Sequence, residues 1–204
     1  MKIKPTYSRR NVFLDIETLA LDQANPEGAL SALTGRVVCI GLLIDDGQTV
    51  LEHSLIDSDE LALLRSFWAL VRPGDLFVGF NILDFDLPFI RQRCWINSVR
   101  PSRRVDLRRY YSADCLDLMQ TWCNWHASKY PKLDTLASVL GCGKKNGRGD
   151  EVGKWWAAGQ LDRIAEYCRN DVRITCKLFH RMMFQSLPDR FKPIEPVSES
   201  DRNF

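Results

Sequence analysis

The apolar positions fall into short runs at the start of the chain and into helical spacing towards its end. Val12–Ile16 is a β-branched and apolar run behind a polar leader and predicts a buried strand. Arg36–Ile44 predicts a second strand, Asp45-Asp46-Gly47 a hairpin turn, and Thr49–Leu55 a third strand. In Asp57–Val71, apolar residues at helical spacing (Leu61, Leu64, Phe67, Trp68, Val71) predict an amphipathic helix stopped by Pro73-Gly74. A short strand over 75–80 and a helix entered near Pro88 and running through Cys94 follow. Asp114–Lys129, Leu133–Leu140 and Gln160–Ser186 read as helices, the last without an internal Gly or Pro. Strands, a helix, a strand and then helices imply an α/β fold with one central mixed sheet flanked by helices. The expected folded unit covers residues 1–186. The remainder, 187–204, carries prolines and charges and reads as a loose tail.

Composition adds boundaries. A chain of 204 residues with 45% hydrophobic and 26% charged residues is long enough for an ordinary core. The net charge of +2 neither demands nor excludes a nucleic-acid partner, so the distribution of charge must decide. Seven cysteines without a Cys-x-x-Cys pair argue against a disulfide framework or a zinc ribbon, and predict buried small hydrophobes. The N-terminus has charge but no apolar core of a secretory signal, and no apolar run approaches the ~20 residues of a membrane span. A cytoplasmic protein is expected.

Three acidic groupings carry candidate chemistry. Asp15 and Glu17 are two apart on a predicted strand and therefore share a face, while Leu14 and Ile16 take the other. Two adjacent anions on a buried strand repel and are costly to desolvate, so a fold keeps them when a cation sits between. Carboxylate oxygens without His or Cys suit Mg²⁺ or Mn²⁺. The second grouping lies in Asn81–Pro88, where a strand gives way to a helix; its chemistry does not choose Asp84 over Asp86. In the third, Tyr167 and Asp171 are four apart on a predicted helix and aim at one point.

Taken together, these groupings resemble the DEDD (DnaQ-like) 3′–5′ exonuclease superfamily, with its ribonuclease-H-like fold. The resemblance spans roughly residues 10–185, and is nearest to the proofreading exonuclease domain of family B DNA polymerases. Asp15-Ile16-Glu17 matches the Asp-x-Glu motif, Asn81 through Pro88 matches Asn-x-x-x-Phe-Asp-x-Pro and selects Asp86, and Tyr167 with Asp171 matches Tyr-x-x-x-Asp. The sister branch places His five positions before the last Asp; Glu166 stands there, so the chain resembles the tyrosine branch.

The resemblance implies an enzyme without an attached polymerase. It would hydrolyse terminal phosphodiesters of mainly single-stranded DNA and release nucleoside 5′-monophosphates. Asp15, Glu17, Asp86 and Asp171 would hold two Mg²⁺ or Mn²⁺ ions, with Tyr167 orienting the attacking water. Thr18, Leu19, Asn81 and Phe85 would meet the substrate strand. Proofreading, repair and oligonucleotide turnover are compatible roles, with replication or repair proteins as partners. Two further readings follow from the same residues: an exoribonuclease on RNA ends, and a nucleic-acid-binding or polymerase-accessory module that has lost catalysis.

Two basic segments are candidates for the strand's path. Arg100–Tyr111 holds five arginines and two tyrosines, suited to phosphate and base stacking. Gly141–Gly149 is glycine-rich and basic, and reads as a flexible loop able to close on a phosphate backbone.

Overall fold

The computed structural model describes residues 9–110 and 113–188. The expected tail lies, but for 187 and 188, outside the described residues, as does Tyr111. Five strands, β1 (Asn11–Ala20), β2 (Gly35–Asp45), β3 (Val50–Ile56), β4 (Leu76–Gly79) and β5 (Cys115–Asp117), form one sheet in the order β3-β2-β1-β4-β5. β1 pairs antiparallel with β2 and parallel with β4; β2–β3 is antiparallel and β4–β5 parallel. The sheet is therefore mixed, as the alternation of runs and helices implied.

Helices cover both faces. Alternate β1 residues Val12, Leu14 and Ile16 pack on one side with Leu64 and Phe67 of α1 (Glu60–Leu70) and Leu87 and Ile90 of α2 (Asp86–Ile96). Phe13 points to the other side, towards Leu118 of α3 (Leu118–Cys123), Leu136 of α4 (Leu133–Val139) and Val172 and Phe179 of α6 (Leu161–Met182). A third apolar group joins Leu19 and Cys39 to Val152 and Trp155 of α5 (Val152–Ala157) and to Ile164 and Cys168 of α6. β2 is buried along nearly its whole length because both layers cover it. Gly41 sets how close α6 comes: a Cβ there would lie 2.8 Å from Cys168 Sγ and 3.2 Å from the Cys168 carbonyl oxygen.

The strand and helix starts follow local chemistry. Asp46 Oδ1 accepts from the amides of Gln48 (3.0 Å) and Thr49 (2.7 Å), closing the β2–β3 turn. Asp59 caps α1, accepting from Leu61 N at 2.9 Å, so this helix begins later than the apolar spacing alone predicts.

Two expectations are corrected. Asp114–Lys129 is not one helix: Cys115–Asp117 adds a strand beside β4, and α3 follows until Asn124 turns left-handed at φ 48°. Asp117 makes the switch, for it is extended itself yet accepts from Met119 N at 3.0 Å and Gln120 N at 3.2 Å as the cap of α3. The last helix ends at Met182 rather than Ser186, where Phe184 takes φ 53°. All seven cysteines are buried and unbridged, as expected. Among the described residues no helix is long and apolar enough to cross a membrane.

Candidate active site

The site forms where β4 stops short. β4 pairs with β1 only at Asn11, Val12 and Phe13, so the later part of β1 has no strand on that side. The first residue of α2 fills the gap: Asp86 Oδ1 accepts from Ile16 N at 3.0 Å. This bond places Asp86 beside the β1 face that carries Asp15 and Glu17. Asp84, the acid that chemistry alone left open, turns elsewhere and accepts from Gln120 Nε2 at 3.0 Å.

α6 closes the site from the opposite face of the sheet. Tyr167 and Asp171 are four residues apart and share one side of this helix, both buried. The Cys168 thiol donates to Asp15 O at 3.4 Å and Asp15 Oδ2 at 3.6 Å, fastening the helix to β1. Ligand atoms of Asp15, Glu17 and Cys168 all lie within 4.8 Å of one another. Asp86 and Asp171 stand outside that tight group of three but near enough for their charges to act on Asp15, so acids from three distant stretches of sequence share one neighbourhood.

Electrostatics shows the strain of that gathering. Burial pushes the Asp15 carboxyl well above the usual range, and the Asp171 and Asp86 anions push it further. Glu17 is raised by burial and then by Asp15 and Asp171. Asp86 is raised to about 7 by burial, although the Ile16 amide favours its charged form. Asp171 is raised by burial and relieved by Lys145 and the Tyr167 hydroxyl. Its Oδ1 atom is buried with no partner. Burial and the Asp171 and Glu17 anions hold Tyr167 well above its ordinary value, so its hydroxyl stays a neutral donor.

Lys145 is the site residue that the sequence reading missed as an individual. Its Nζ forms an ion pair with Asp171 Oδ2 and lies 4.9 Å from the centre of the Tyr167 ring. Asp171 and Tyr167 outweigh burial and hold the ammonium above its ordinary value. The basic loop that carries Lys145 is pinned, not free. Lys145 N donates to Asp134 Oδ1 at 2.9 Å, and Asn170 Nδ2 donates to the Lys144 carbonyl at 3.2 Å. Gly147 lets the loop lie against the site: a Cβ there would sit 2.8 Å from Trp155 and 3.0 Å from Tyr167. The sequence held a signal in the pairing of glycines with lysines, but loop residues have no periodicity to place them.

Two grooves flank the acids. One, of about 760 Å³, is lined by Asn81, Lys145, Arg148 and Tyr167 among others. The other, of about 500 Å³, is lined by Glu17, Thr18, Leu19 and Phe85. Gly149 and Asp150 line both. The structure therefore brings all the predicted strand-contacting residues to groove walls. Two also have structural duties: the Thr18 hydroxyl donates to Ala29 O at 2.7 Å, and Leu19 is buried beside Trp155. Asn81 holds a left-handed φ of 66°, its amide donating to Asp117 Oδ1 at 3.1 Å. Asp117 is the hub of that turn, accepting also from Leu83 N at 3.1 Å. It anchors these backbone amides, and its charge also reaches Asp86 and helps to raise that carboxyl.

Among solved structures, the chain is similar to the family B DNA polymerase from the hyperthermophilic archaeon Pyrobaculum calidifontis. The TM-score is 0.66 at 23% identity, over 86% of this chain. This chain corresponds to 24% of that polymerase chain, and the likeness is one of fold, the ribonuclease-H-like arrangement. No curated protein matches. Residues 30–193 match the family described as predicted 3′–5′ exonuclease related to the exonuclease domain of PolB. That stretch includes Asp86, Tyr167 and Asp171 and begins after Asp15 and Glu17, which flank Ile16, the residue whose amide donates to Asp86. With most of its length matched in this way, the chain belongs to that family of predicted 3′–5′ exonucleases related to the polymerase exonuclease domain.

Proposed function

We propose that the protein is a divalent-metal-dependent 3′–5′ exonuclease, acting mainly on single-stranded DNA and releasing nucleoside 5′-monophosphates. The observation that carries this reading is the group of four carboxylates, Glu17, Asp86 and Asp171 buried and Asp15 half-buried, with one lysine among them. Asp171 Oδ1 has no partner, and the four acids raise one another's pKa or suffer burial without full compensation. A buried acceptor without a donor, beside further anions, fits a hard cation that takes oxygen ligands. Asp15, Glu17, Asp86 and Asp171 would hold two Mg²⁺ or Mn²⁺ ions. When bound, such a pair makes water more acidic and stabilises negative charge on both sides of a scissile phosphate.

The chain's own residues supply the rest. Tyr167, kept protonated, orients the attacking water by donating or accepting a hydrogen bond at its hydroxyl. Lys145 places a positive charge at the mouth of the acidic group, where a phosphate oxygen would lie once cations occupy Asp171. Asn81 and Arg148 line one groove and Leu19 and Phe85 the other, and these would hold the terminal nucleotide and its neighbour.

Timed digestion of 3′- and 5′-labelled single-stranded DNA, mismatched duplex and RNA tests the reading. Single-nucleotide shortening from the 3′ end with Mg²⁺ or Mn²⁺, and none with chelator, is expected. Undiminished digestion in chelator overturns the metal, and binding without cutting overturns the enzyme.

A further inference from the structure

We propose that the outer side of α2 and the segment 100–109 form a second binding groove for the phosphates of single-stranded nucleic acid. Trp95 would be its base-stacking platform. The inference rests on the exonuclease reading of the acidic site and adds where the strand behind the cut end is held.

The chain leaves α2 at Ile96 and returns along it. Near its end, Arg109 Nη2 comes within 3.8 Å of Asp84 Oδ1, two residues before the site residue Asp86. Segment 100–109 therefore begins near the far end of α2 and finishes at the turn that leads into Asp86. Between segment and helix lies a groove of about 610 Å³, lined by Arg91, Trp95, Arg100, Arg103 and Arg104 and by no acidic residue. A neighbouring groove of about 640 Å³ shares Arg91 and Arg104. Its two acids are engaged within the fold: Arg108 Nη2 donates to Asp106 Oδ2 at 2.6 Å, and the Asp106 amide donates to Asp114 Oδ2 at 2.8 Å.

Two further observations point to an anionic ligand. Nε of Arg91 and Nε of Arg103 are buried and have no acceptor. Buried donors without acceptors are uncommon and costly, and phosphate oxygens would satisfy them. Trp95 is 66% exposed, with the Arg91 guanidinium 5.4 Å from its ring centre. An exposed indole flanked by arginines suits a stacked base. Arg103 itself also has a structural duty, for it pairs with Asp114 at 3.2 Å and lies 5.5 Å from the Phe77 ring centre. The readers of the strand are then Arg91, Arg100, Arg104 and Trp95.

Length follows from helix geometry. Nine residues separate Asp86 from Trp95, which is about 14 Å at the helical rise of ~1.5 Å. A stacked strand advances ~3.4 Å per nucleotide, so the platform meets a base about four nucleotides behind the cut.

The test is fluorescence anisotropy in chelator with a labelled dodecathymidylate and a labelled trithymidylate. The triple variant Arg91→Ala, Arg100→Ala, Arg104→Ala should weaken dodecamer binding at least about tenfold. It should also lower the slope of log affinity against log salt by about 2, at ~0.7 per phosphate neutralised on a single strand. Trp95→Ala should weaken it about tenfold with the slope unchanged. The trimer, too short to reach the groove, should bind all proteins within about twofold. Unchanged dodecamer affinity and slope in the triple variant would overturn the proposal. So would an equal loss on the trimer, or a loss confined to polyglutamate, which would assign the groove to an acidic protein. Because no cutting is measured, the two readings separate. A wild-type protein that binds as expected but digests nothing with Mg²⁺ keeps the groove and loses the nuclease.

Discussion

Two of the places where the fold buries carboxylates contrast with each other. At the junction of α1, α2 and β2, Glu60 faces Arg93, with Nη2 to Oε2 at 2.6 Å. The same carboxylate accepts from Val37 N at 2.8 Å, Arg93 Nε at 2.9 Å and Asn97 Nδ2 at 2.9 Å, while Arg93 Nη1 donates to Ala32 O at 2.9 Å. One acid meets one base and every oxygen has donors. Beneath α6, four acids meet the single ammonium of Lys145, and Asp171 Oδ1 has no donor. The first region is complete without help and serves to join two helices to a strand. The second is incomplete as protein alone, and that deficit is the argument for cations.

The sharpest break of the comparison is to remove one acid from each region. Asp15→Asn or Asp171→Asn should cost several kcal/mol of transition-state stabilisation, about 10³-fold or more in kcat/KM. Asp15→Asn should leave the metal-free melting temperature equal or higher, because like charges are relieved, whereas Asp171→Asn also strips Lys145 of its ion pair and should lower it. Glu60→Ala should do the reverse: about 3–5 kcal/mol lost in urea unfolding from an uncompensated Arg93, with activity per folded molecule retained. A stabilised Glu60→Ala, or a strongly destabilised Asp15→Asn, would erase the distinction.

Smaller effects refine it. Tyr167→Phe should slow single-turnover cleavage by about 10- to 100-fold, because it removes an orienting hydroxyl and no ligand; a loss equal to that of Asp171→Asn would make the tyrosine indispensable. pH sharpens the contrast further. The folded state holds Asp86 up at about 7, above its ordinary carboxylate value, so the neutral form is the one the fold favours. Its contribution is whole at acid pH and is lost as pH climbs through about 7. The chelated protein should therefore melt several degrees lower at pH 8 than at pH 5.5, and Mn²⁺ should abolish the difference. Least of all, Asp84→Ala should change cleavage by no more than about twofold, since Asp84 is bound to Gln120 outside the acidic group.

Periodicity explains which of these features could be read from the chain. Asp15 and Glu17 were legible because alternation on β1 puts both on the face opposite Leu14 and Ile16. Tyr167 and Asp171 were legible because four residues make one helical turn. Asp86 was not separable from Asp84 by chemistry, since the choice depends on a bond to Ile16 N seventy residues away. The three residues of β5 were hidden because they run directly into α3, so a strand and a helix blur within one window. Lys145 was hidden for another reason: its place is fixed by Asp134 and by the close approach of Gly147 to Tyr167, neither of which has a spacing rule. The arginine segment was visible as a charge cluster, but the division between Arg103, which pairs with Asp114, and Arg100 and Arg104, which line the open groove, is a matter of tertiary packing.

The central claim is that Asp15, Glu17, Asp86 and Asp171 together hold divalent cations. Anomalous diffraction from crystals soaked in Mn²⁺ with a thymidine 5′-monophosphate product addresses it directly. Two manganese peaks within bonding distance of these carboxylates, with Lys145 turned from Asp171 towards the phosphate, are predicted. A map with no manganese there, and Lys145 still seated on Asp171, would contradict the account.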